Sequence, residues 1–305
     1  MLHSIEAGIR NGVVALGNFD GVHRGHQAVV RTAVGVARAQ GIPAVILTFE
    51  PHPRSVFQPD AAPFRLTPAP VKERLLRALG VDGVVVMPFT PDFSRLSAEE
   101  FVRQILIEGL GAKHIVAGYD YVFGHKRGGT MSMMVQLLEP SRIGVTEVAP
   151  LRDEQGEAMS SSRIREALRQ GDAITAARIL GRTWSIAGVV QHGAKRGASI
   201  GVPTANISLG DYLRPRFGVY VVEARREGDA TTWRGVANIG TRPTVDGKTE
   251  TLEAHLFDFN QTIYDEAWEF DLIDFMRPEQ RFESFEELKV QIEKDVKTAR
   301  SRTAI

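Results

Sequence analysis

Between residues 13 and 148, short apolar runs alternate with longer amphipathic segments, and no other feature constrains the fold of this chain as strongly. The apolar runs are Val13–Leu16, Ala44–Phe49, Val84–Met87, His114–Ala117 and Val145–Val148. Strands that are apolar along their whole length are typical of a parallel sheet, because helices cover both of its faces. Alternating strands and helices also favour right-handed crossovers between parallel neighbours. We therefore predict an α/β domain with a mostly parallel sheet.

Three amphipathic segments are predicted to be helices of this domain. Arg24–Gln40 and Lys72–Leu79 carry the apolar spacing of a helix, and Gly80 ends the second one. A third helix is predicted to begin at Ser97, because Ser97 and Glu100 have the spacing of a capping box.

The pattern changes near residue 180. Ser162–Gln170 and Ala173–Leu180 are predicted helices, and β-rich runs separated by Gly, Pro, Asn and Asp follow them. These runs are Trp184–Val190, Val219–Ala224, Thr232–Ile239, Thr251–Phe257 and Trp268–Phe275. Strict alternation of apolar and charged residues over 268–272 predicts a strand with one solvent-exposed face, as in an antiparallel barrel or sandwich. We therefore predict two domains, 1–182 and 183–305.

The second domain is predicted to end in a helix. It begins at Ser284, with a second capping box to Glu287, and runs to about Thr298.

Composition excludes several functional classes. The 37 Lys and Arg residues balance 37 Asp and Glu residues, which argues against a protein that coats nucleic acid or a lipid surface. Cysteine is absent, so disulfides, thiolate zinc sites and a cysteine nucleophile are impossible. The first residues lack the basic and apolar regions of a signal peptide, and no run approaches the roughly 18 apolar residues of a membrane span. We expect a cytoplasmic protein.

A glycine-rich turn between the first strand and the first helix is the first candidate site. Gly17–His26 holds three glycines and lies where a parallel sheet binds ligands. The N-terminus of the helix offers backbone N–H groups to a phosphate. His23 and His26 share one helical face and can donate hydrogen bonds to phosphate oxygens. The alternatives are a plain turn with two surface histidines and a His-x-x-His metal site.

The second candidate site combines a glycine-rich stretch with a polar strand. Gly193, Gly197 and Gly201 recur every four residues, and Lys195 and Arg196 between them can meet phosphates. Such a stretch reads as a flexible flap, although most glycine-rich loops are only loops.

Thr204 and Asn206 follow this stretch. They point the same way in an extended chain, and their oxygens suit a Mg²⁺ ion shared with phosphates. On the strand from Leu252 to Phe257, alternation separates Glu253 from Leu252, so Glu253 points to solvent or to a cleft if the Leu face is core.

Four segments of the first half resemble the nucleotidyltransferase domain of bacterial FAD synthetases, in the same order along the chain. Residues 17–26 resemble its His-x-Gly-His signature, and residues 48–53 its Phe-x-Pro-His-Pro segment. Residues 118–124 resemble its Gly-x-Asp-Phe-x-Phe-Gly loop, and residues 159–165 its Ile-Ser-Ser-Thr-Arg-Ile-Arg segment. The departures are mild, such as Ser162 for Thr and Tyr121 for Phe.

The second half resembles riboflavin kinases. Residues 201–206 match the Gly-x-Pro-Thr-Ala-Asn signature, residues 252–259 the strand that carries the family's catalytic Glu, and residues 238–244 a further segment. Arg277, Phe282, Leu288 and Gln291 match the pattern of the C-terminal region. Val202 replaces the usual Phe and Asp265 a usual Gly. Residues 11–298 together resemble the bifunctional riboflavin kinase/FMN adenylyltransferase family.

This resemblance implies a Rossmann-like nucleotidyltransferase domain followed by an antiparallel β-barrel kinase domain with a terminal helix. It implies ATP-dependent phosphorylation of riboflavin to FMN, adenylylation of FMN to FAD with release of pyrophosphate, and Mg²⁺ as cofactor. The implied partners are riboflavin, FMN and ATP, without nucleic acid or membrane, in a monomer or weak homo-oligomer.

The resemblance also assigns roles to individual residues. The implied catalytic residues are Glu253, as general base of the kinase, with His23 and His26. The implied nucleotide-binding residues are Gly17, Asn18, Phe19, Asp20, Gly21, Ser161, Ser162, Arg163, Arg165, Gly193, Lys195 and Gly197. The implied flavin-binding residues are Pro51, His52, Pro53, Asp120 and Arg277, and the implied metal ligands are Thr204 and Asn206.

Three other hypotheses stay open. One half could bind flavin without turnover, or the chain could adenylylate another phosphate such as a pantetheine phosphate. It could also be a flavin-binding regulator without catalysis.

Overall fold

The computed structural model describes residues 7–191, 204–244 and 247–302. It divides into two compact units, each built from two stretches of chain. Unit 1 comprises Met1–Ala62 and Thr67–Ser160, and unit 2 comprises Pro63–Leu66 and Ser161–Ile305. The predicted functional boundary at residues 182 and 183 stays a prediction.

Unit 1 is built on a five-stranded parallel sheet in the order β3-β2-β1-β4-β5. The strands are β1 (Val13–Leu16), β2 (Ala44–Glu50), β3 (Gly83–Pro88), β4 (His114–Gly118) and β5 (Gly144–Val148). The chain runs from β1 outward to β3 and then returns to β4 on the other side of β1. The carboxyl ends of β1 and β4 therefore form the switch point at which such sheets bind ligands.

Both faces of this sheet are buried, as the apolar strands predict. Val13 and Ala15 pack into one core cluster, and Val14 and Leu16 pack into the other. The helices of the unit are α1 (Arg24–Gln40), α2 (Pro53–Phe57), α3 (Ala69–Arg77), α4 (Ala98–Glu100) and α5 (Met131–Leu138). A π-helical stretch, Phe101–Gly109, continues α4, and short 3₁₀ turns lie at Ala7–Ile9, Phe93–Arg95, His125–Arg127 and Glu139–Ser141.

Two of the three helix starts predicted for unit 1 agree with the structure, and the third differs. α1 has its predicted bounds, and Ser97 and Glu100 form both hydrogen bonds of the capping box before α4. α3 begins three residues before the predicted Lys72, because Pro70 lies in its first turn, where a missing N–H costs nothing.

Unit 2 is built on a six-stranded antiparallel sheet in the order β6-β11-β8-β9-β10-β7. The strands are β6 (Ser185–Val189), β7 (Ala205–Ser208), β8 (Gly218–Arg226), β9 (Trp233–Thr244), β10 (Gly247–Leu256) and β11 (Ala267–Pro278). The N–H of Gln191 donates to the carbonyl of Asn206 at 2.8 Å, which joins the two edges into a nearly closed barrel. The predicted fold class is confirmed for both units, and β7 is a strand where the sequence indicated only extended chain.

One expectation about β11 is wrong. Glu269 and Asp271 alternate with core residues as predicted, but they are only 5% and 9% exposed, so this face is not wet. The guanidinium of Arg225 contacts both carboxylates, at 3.1 Å and 2.5 Å, and Ser185 Oγ donates to Glu269. Burial raises the pKa of Asp271 despite this ion pair. Alternation predicts which way a side chain points, but what covers it is decided by the tertiary fold.

Within the described residues of unit 2, three helices complete the fold: α6 (Ser161–Gln170), α7 (Ala173–Leu180) and α8 (Phe285–Ser301). α8 covers part of the outer face of the barrel, where Val219, Val221, Val236, Phe257 and Ala299 form one apolar cluster. Ser284 caps α8 by accepting from the N–H of Glu287, and the Glu287 carboxylate accepts from the N–H of Glu283. Of the helices in the described parts of the chain, none has the length and apolarity to cross a membrane.

Candidate functional site

The loop after β1 has a tightly specified backbone. Phe19, Gly21 and Val22 all have positive φ angles, of 52°, 90° and 43°. Left-handed conformations at two residues with side chains cost energy and persist only where the surroundings enforce them. Gly17 is required as well, because a Cβ atom there would lie 2.9 Å from the ring of Phe19. The loop therefore presents its backbone in one shape at the carboxyl edge of the sheet.

The two predicted histidines meet at the start of α1. Their rings stack with centroids 3.6 Å apart, and the ring of Phe19 packs edge-on against His26 at 5.3 Å. Gly25 allows this packing, since a Cβ atom there would lie 3.0 Å from the ring of His23. The structure thus brings His23 and His26 together as the sequence predicts.

The cap of α1 determines the tautomer of His23. His23 is the N-cap residue, and its Nδ1 accepts a hydrogen bond from the N–H of His26 at 3.3 Å. A neutral imidazole that accepts through Nδ1 carries its proton on Nε2. His23 is buried and therefore holds an Nε2–H donor in a fixed orientation beside His26.

Asp20 contributes to the shape of this loop. Its Oδ1 accepts from the N–H of Thr67 at 3.0 Å and from the Thr67 hydroxyl at 3.3 Å. The N–H of Gly21 donates to the same hydroxyl at 2.9 Å. Asp20 is buried, so these contacts anchor the loop within unit 1. A nucleotide-binding role for Asp20, and for Asn18 between Gly17 and Phe19, stays a prediction.

Other predicted residues of unit 1 follow neighbouring strands at the same edge of the sheet. Pro51, His52 and Pro53 follow β2, and Asp120 follows β4 and is exposed. His52 caps α2, with Nδ1 accepting from the N–H of Arg54 at 3.1 Å. Because β1, β2 and β4 lie side by side in the parallel sheet, these residues lie at one edge with residues 17–26, which we call the histidine loop.

The predicted residues 161–165 open α6, in unit 2. Ser161, Arg163 and Arg165 are half-buried, and Ser162 is exposed. Arg165 Nε donates to the carbonyl of Phe64 at 2.9 Å, and its guanidinium lies 5.4 Å from the centre of the Phe64 ring. Their role in nucleotide binding stays a prediction.

The candidate kinase residues meet across three strands of the barrel. Glu253 on β10 lies directly opposite Asn206 on β7 and Asn238 on β9. Paired residues of antiparallel strands share a face, so all three side chains lie on one face. Leu252 and Ala254 are buried on the opposite, inner face, which places Glu253 outside the barrel as the alternation predicts.

The glycine-rich stretch lies largely outside the described residues, which include none of Gly193, Lys195, Arg196, Gly197 and Gly201. Thr204 is described and immediately precedes β7.

Arg277, a predicted flavin-binding residue, pairs with a carboxylate of α8. Its Nε and Nη2 atoms donate to Asp295 at 2.7 to 3.2 Å, and Gln291 Nε2 donates to the same carboxylate at 2.8 Å. Arg277 thereby fastens α8 to the end of β11, and its contact with flavin stays a prediction.

Comparison with known proteins decides the family. A FAD synthetase family model matches residues 6–163, and a riboflavin kinase family model matches residues 180–303. The bifunctional riboflavin kinase/FMN adenylyltransferase of Bacillus subtilis is 41% identical over 302 residues, which cover 97% of this chain and 94% of that protein. The protein of the same name from Pseudomonas fluorescens is 41% identical over 305 residues, 99% of this chain and 96% of that protein. The chain belongs to this bifunctional family.

A solved structure shares the fold of this family member. A crystal structure described as a macrolide-efflux protein from Streptococcus pneumoniae superposes with a TM-score of 0.84 and 34% identity. The match covers 96% of this chain and 95% of that one.

The residues around Glu253 fit a magnesium ion. Thr204 and Asn206 offer hydroxyl and amide oxygens, and oxygen donors are the ligands that Mg²⁺ prefers. Asn206 is only 4% exposed, and its Nδ2 donates to the Thr204 carbonyl at 3.3 Å. One donor of this amide is used by that carbonyl, and an amide oxygen is a group that can ligate Mg²⁺. By contrast, no group of three His, Asp or Glu side chains in the described parts of the chain could hold a metal.

Three residues beside the candidate site residues were given no role at the level of sequence. Thr67 anchors the loop of Asp20, Asn238 flanks Glu253, and Lys72 is buried in α3. Lys72 has a visible signal, because it lies four residues before the buried Leu76 on the apolar stripe of its helix. Thr67 gives none, since its contact with Asp20 spans 47 positions of the chain.

Proposed function

We propose that the two activities of the family divide between two separate sites of this chain. Riboflavin phosphorylation takes place beside Glu253 on the outer face of the barrel, and adenylylation of FMN takes place at the loop of His23 and His26. The observation that carries the proposal is the pairing of Glu253 with Asn206 across adjacent strands, together with the stacked histidines at the sheet edge.

The kinase step needs a base because an alcohol is a weak nucleophile at neutral pH. The ribityl 5′-hydroxyl attacks the γ-phosphorus of ATP, its proton passes to the Glu253 carboxylate, and ADP leaves. Asn206 and Asn238 lie on either side of Glu253 on the neighbouring strands, and this strand pairing sets the position of Glu253. Thr204 and Asn206 would hold Mg²⁺, which neutralises phosphate charge when bound.

The adenylyl transfer needs no base, because the second pKa of a phosphate monoester is about 6 and FMN is already a dianion at neutral pH. A phosphate oxygen of FMN attacks the α-phosphorus of ATP, the bond from that phosphorus to the bridging oxygen breaks, and pyrophosphate leaves. The site must stabilise charge on the phosphates. His23 supplies an Nε2–H donor in a fixed orientation, and the ring of His26 stacks on the ring of His23. The backbone N–H groups at the start of α1 add positive electrostatic potential at the phosphates.

The remaining predicted roles fit this scheme. His52 and Asp120 lie at the sheet edge toward the phosphate of FMN, and domains 1–182 and 183–305 each carry one activity. We place the protein in the cytoplasm as a monomer or weak homo-oligomer, with riboflavin, FMN and ATP as its small-molecule partners and no nucleic acid. Its balanced charge argues against a protein that coats nucleic acid.

The first test follows products by chromatography. The purified chain with riboflavin, ATP and Mg²⁺ is expected to form FMN and then FAD. H26A should reduce FAD formation about 100-fold or more from supplied FMN, because it removes a group beside the reacting phosphates, and it should spare FMN formation. E253Q should reduce FMN formation about 100-fold or more and spare adenylylation of supplied FMN.

Each variant thus serves as the folding control for the other. E227Q, an exposed Glu in the turn after β8, is a matched control that should leave both activities unchanged. Loss of both activities in a folded single variant would contradict the two-site proposal. Formation of FMN alone by the unmodified chain would favour a one-activity enzyme, and absence of ATP turnover would favour a regulator.

A further inference from the structure

Unit 1 buries one lysine that the proposed mechanism does not use. Lys72 is only 1% exposed and lies on α3, one turn before the buried Leu76. A buried ammonium group is costly unless hydrogen bonds and an opposite charge compensate it. The contacts of Lys72 therefore show which groups compensate its buried charge.

The acceptors around Lys72 come from two segments of the candidate adenylyl transfer site. Lys72 Nζ lies 3.3 Å from the carbonyl of Asn18 and 3.3 Å from the carbonyl of Phe49. It also lies 3.1 Å from Thr48 Oγ1 and 2.6 Å from Glu50 Oε1. The Thr48 hydroxyl donates to the same Asn18 carbonyl at 3.2 Å.

These contacts tie two loops together. Asn18 belongs to the loop that leads to His23 and His26, whereas Phe49 and Glu50 end β2 just before the segment that holds His52. Both carbonyls that Lys72 binds are main-chain atoms, so the ammonium sets the positions of the two backbones directly. The strong ion pair with Glu50 keeps the ammonium in place.

We propose that Lys72 is a positioning residue for adenylyl transfer. It holds the histidine loop in a defined position relative to the end of β2. The proposal rests on the proposed function of the histidine loop. A displacement of about 1 Å in a group that positions reacting phosphates can reduce the rate about 100-fold. Lys72 touches no reacting atom and acts through the backbone of Asn18 and Phe49.

The test measures both activities of the full chain in K72M, which keeps the length of the side chain and removes the donors. We expect kcat for adenylylation of FMN to fall about 10- to 100-fold, with a smaller change in KM for ATP and FMN. Riboflavin phosphorylation by the same sample should stay within about twofold of the unmodified chain, because its candidate site lies in unit 2. R77M on the same helix, which breaks an exposed pair with Glu73, is the matched control and should leave both activities unchanged.

A second variant keeps the test decisive if K72M does not fold. T48V conserves shape, leaves the pair of Lys72 with Glu50, and removes the hydroxyl shared by Lys72 and Asn18. It should lower adenylyl transfer kcat in the same direction by a smaller factor. In the double variant, the two effects should be less than multiplicative, since both act on Asn18.

The outcomes separate this proposal from the proposed function. If the unmodified chain forms no FAD, the proposed function fails. If it forms FAD and folded K72M, or T48V where K72M does not fold, has an unchanged kcat, the positioning role of Lys72 is overturned. An equal fall in both activities in folded K72M would overturn it as well.

Discussion

At the scale of single residues, the candidate sites depend on backbone conformations that few residues tolerate. The ring of Phe19 lies where a side chain at position 17 would clash, and Phe19 itself has φ of 52°. The loop accepts this conformation because Thr67 and Lys72 hold it through Asp20, Gly21 and Asn18. The geometry of the histidines thus depends on Thr67 and Lys72, which lie outside the loop itself.

A pH-dependent contribution is predicted at Asp82. Two hydrogen bonds from Arg38, at 2.8 and 3.1 Å, lower the pKa of this carboxyl, and the N–H of Ala44 adds a third at 2.8 Å. A lowered pKa means that the unfolded chain binds the proton more readily, so Asp82 stabilises the fold above its unfolded value near 3.8. This contribution is lost as the pH falls through the lower, folded value.

D82N should therefore be less stable than the unmodified chain at neutral pH, by about 1 kcal/mol or less because the pair is partly exposed. The difference should shrink as the pH falls below 3.8. Urea denaturation followed by circular dichroism measures it. D92N, which breaks a more exposed pair with Arg95, is the matched control and should change nothing measurable at neutral pH. A D82N deficit that persisted in acid would contradict the assignment.

At the scale of elements, α8 is attached to the barrel by pairs of unequal burial. The side chains of Arg277 and Asp295 are 18% and 8% exposed, whereas those of Arg300 and Asp258 are 47% and 79% exposed. A third pair joins Arg302 and Asp274. Removing one partner of a buried pair leaves an uncompensated charge, whereas an exposed charge is returned to water.

D295A should accordingly lower the free energy of unfolding of unit 2 by roughly 3–5 kcal/mol. D258A should shift the unfolding midpoint far less. Tryptophan fluorescence measures both, because all three Trp residues of the chain, 184, 233 and 268, lie in unit 2. Equal shifts in the two variants would show that the burial of the Arg277 pair is not what holds α8.

At the scale of the whole molecule, unit 2 takes a short segment from the first half of the chain. Trp184 Nε1 donates to the carbonyl of Leu66 at 2.9 Å, and the N–H of Leu213 donates to the carbonyl of Arg65 at 2.8 Å. Phe64 and Leu66 of this segment are buried. A fragment that begins at the helix of Ser161 lacks all of these contacts.

The fragment 161–305 should unfold more readily than unit 2 within the full chain, by about 3 kcal/mol or more, since burial of a Leu or Phe side chain contributes about 1.5–3 kcal/mol. Denaturant titration of tryptophan fluorescence compares them. W184F is the matched variant: it should destabilise the full chain but cost less in the fragment, where Leu66 is absent. Equal midpoints for chain and fragment would contradict this account of unit 2.

Much of the fold could be predicted from local patterns. Helix α1 and strand β1 have their predicted bounds. The signals that predict them, apolar periodicity and a glycine after the helix, lie in neighbouring residues of the chain. β7 was missed because four residues after a glycine-rich stretch carry too little periodicity to reveal a strand. The prediction that Glu269 and Asp271 face solvent is wrong, because alternation contains no information about what covers a face of the sheet.

The two chemistries of the chain could be predicted from residue types and their spacing in family segments, which include His23, His26, Thr204, Asn206 and Glu253. How these groups are held depends on the three-dimensional fold. It placed Asn238 opposite Glu253, Thr67 on Asp20 and Lys72 between Asn18 and Glu50. These contacts join residues far apart in the chain. Their geometry follows from strand register and helix packing, which no local pattern encodes.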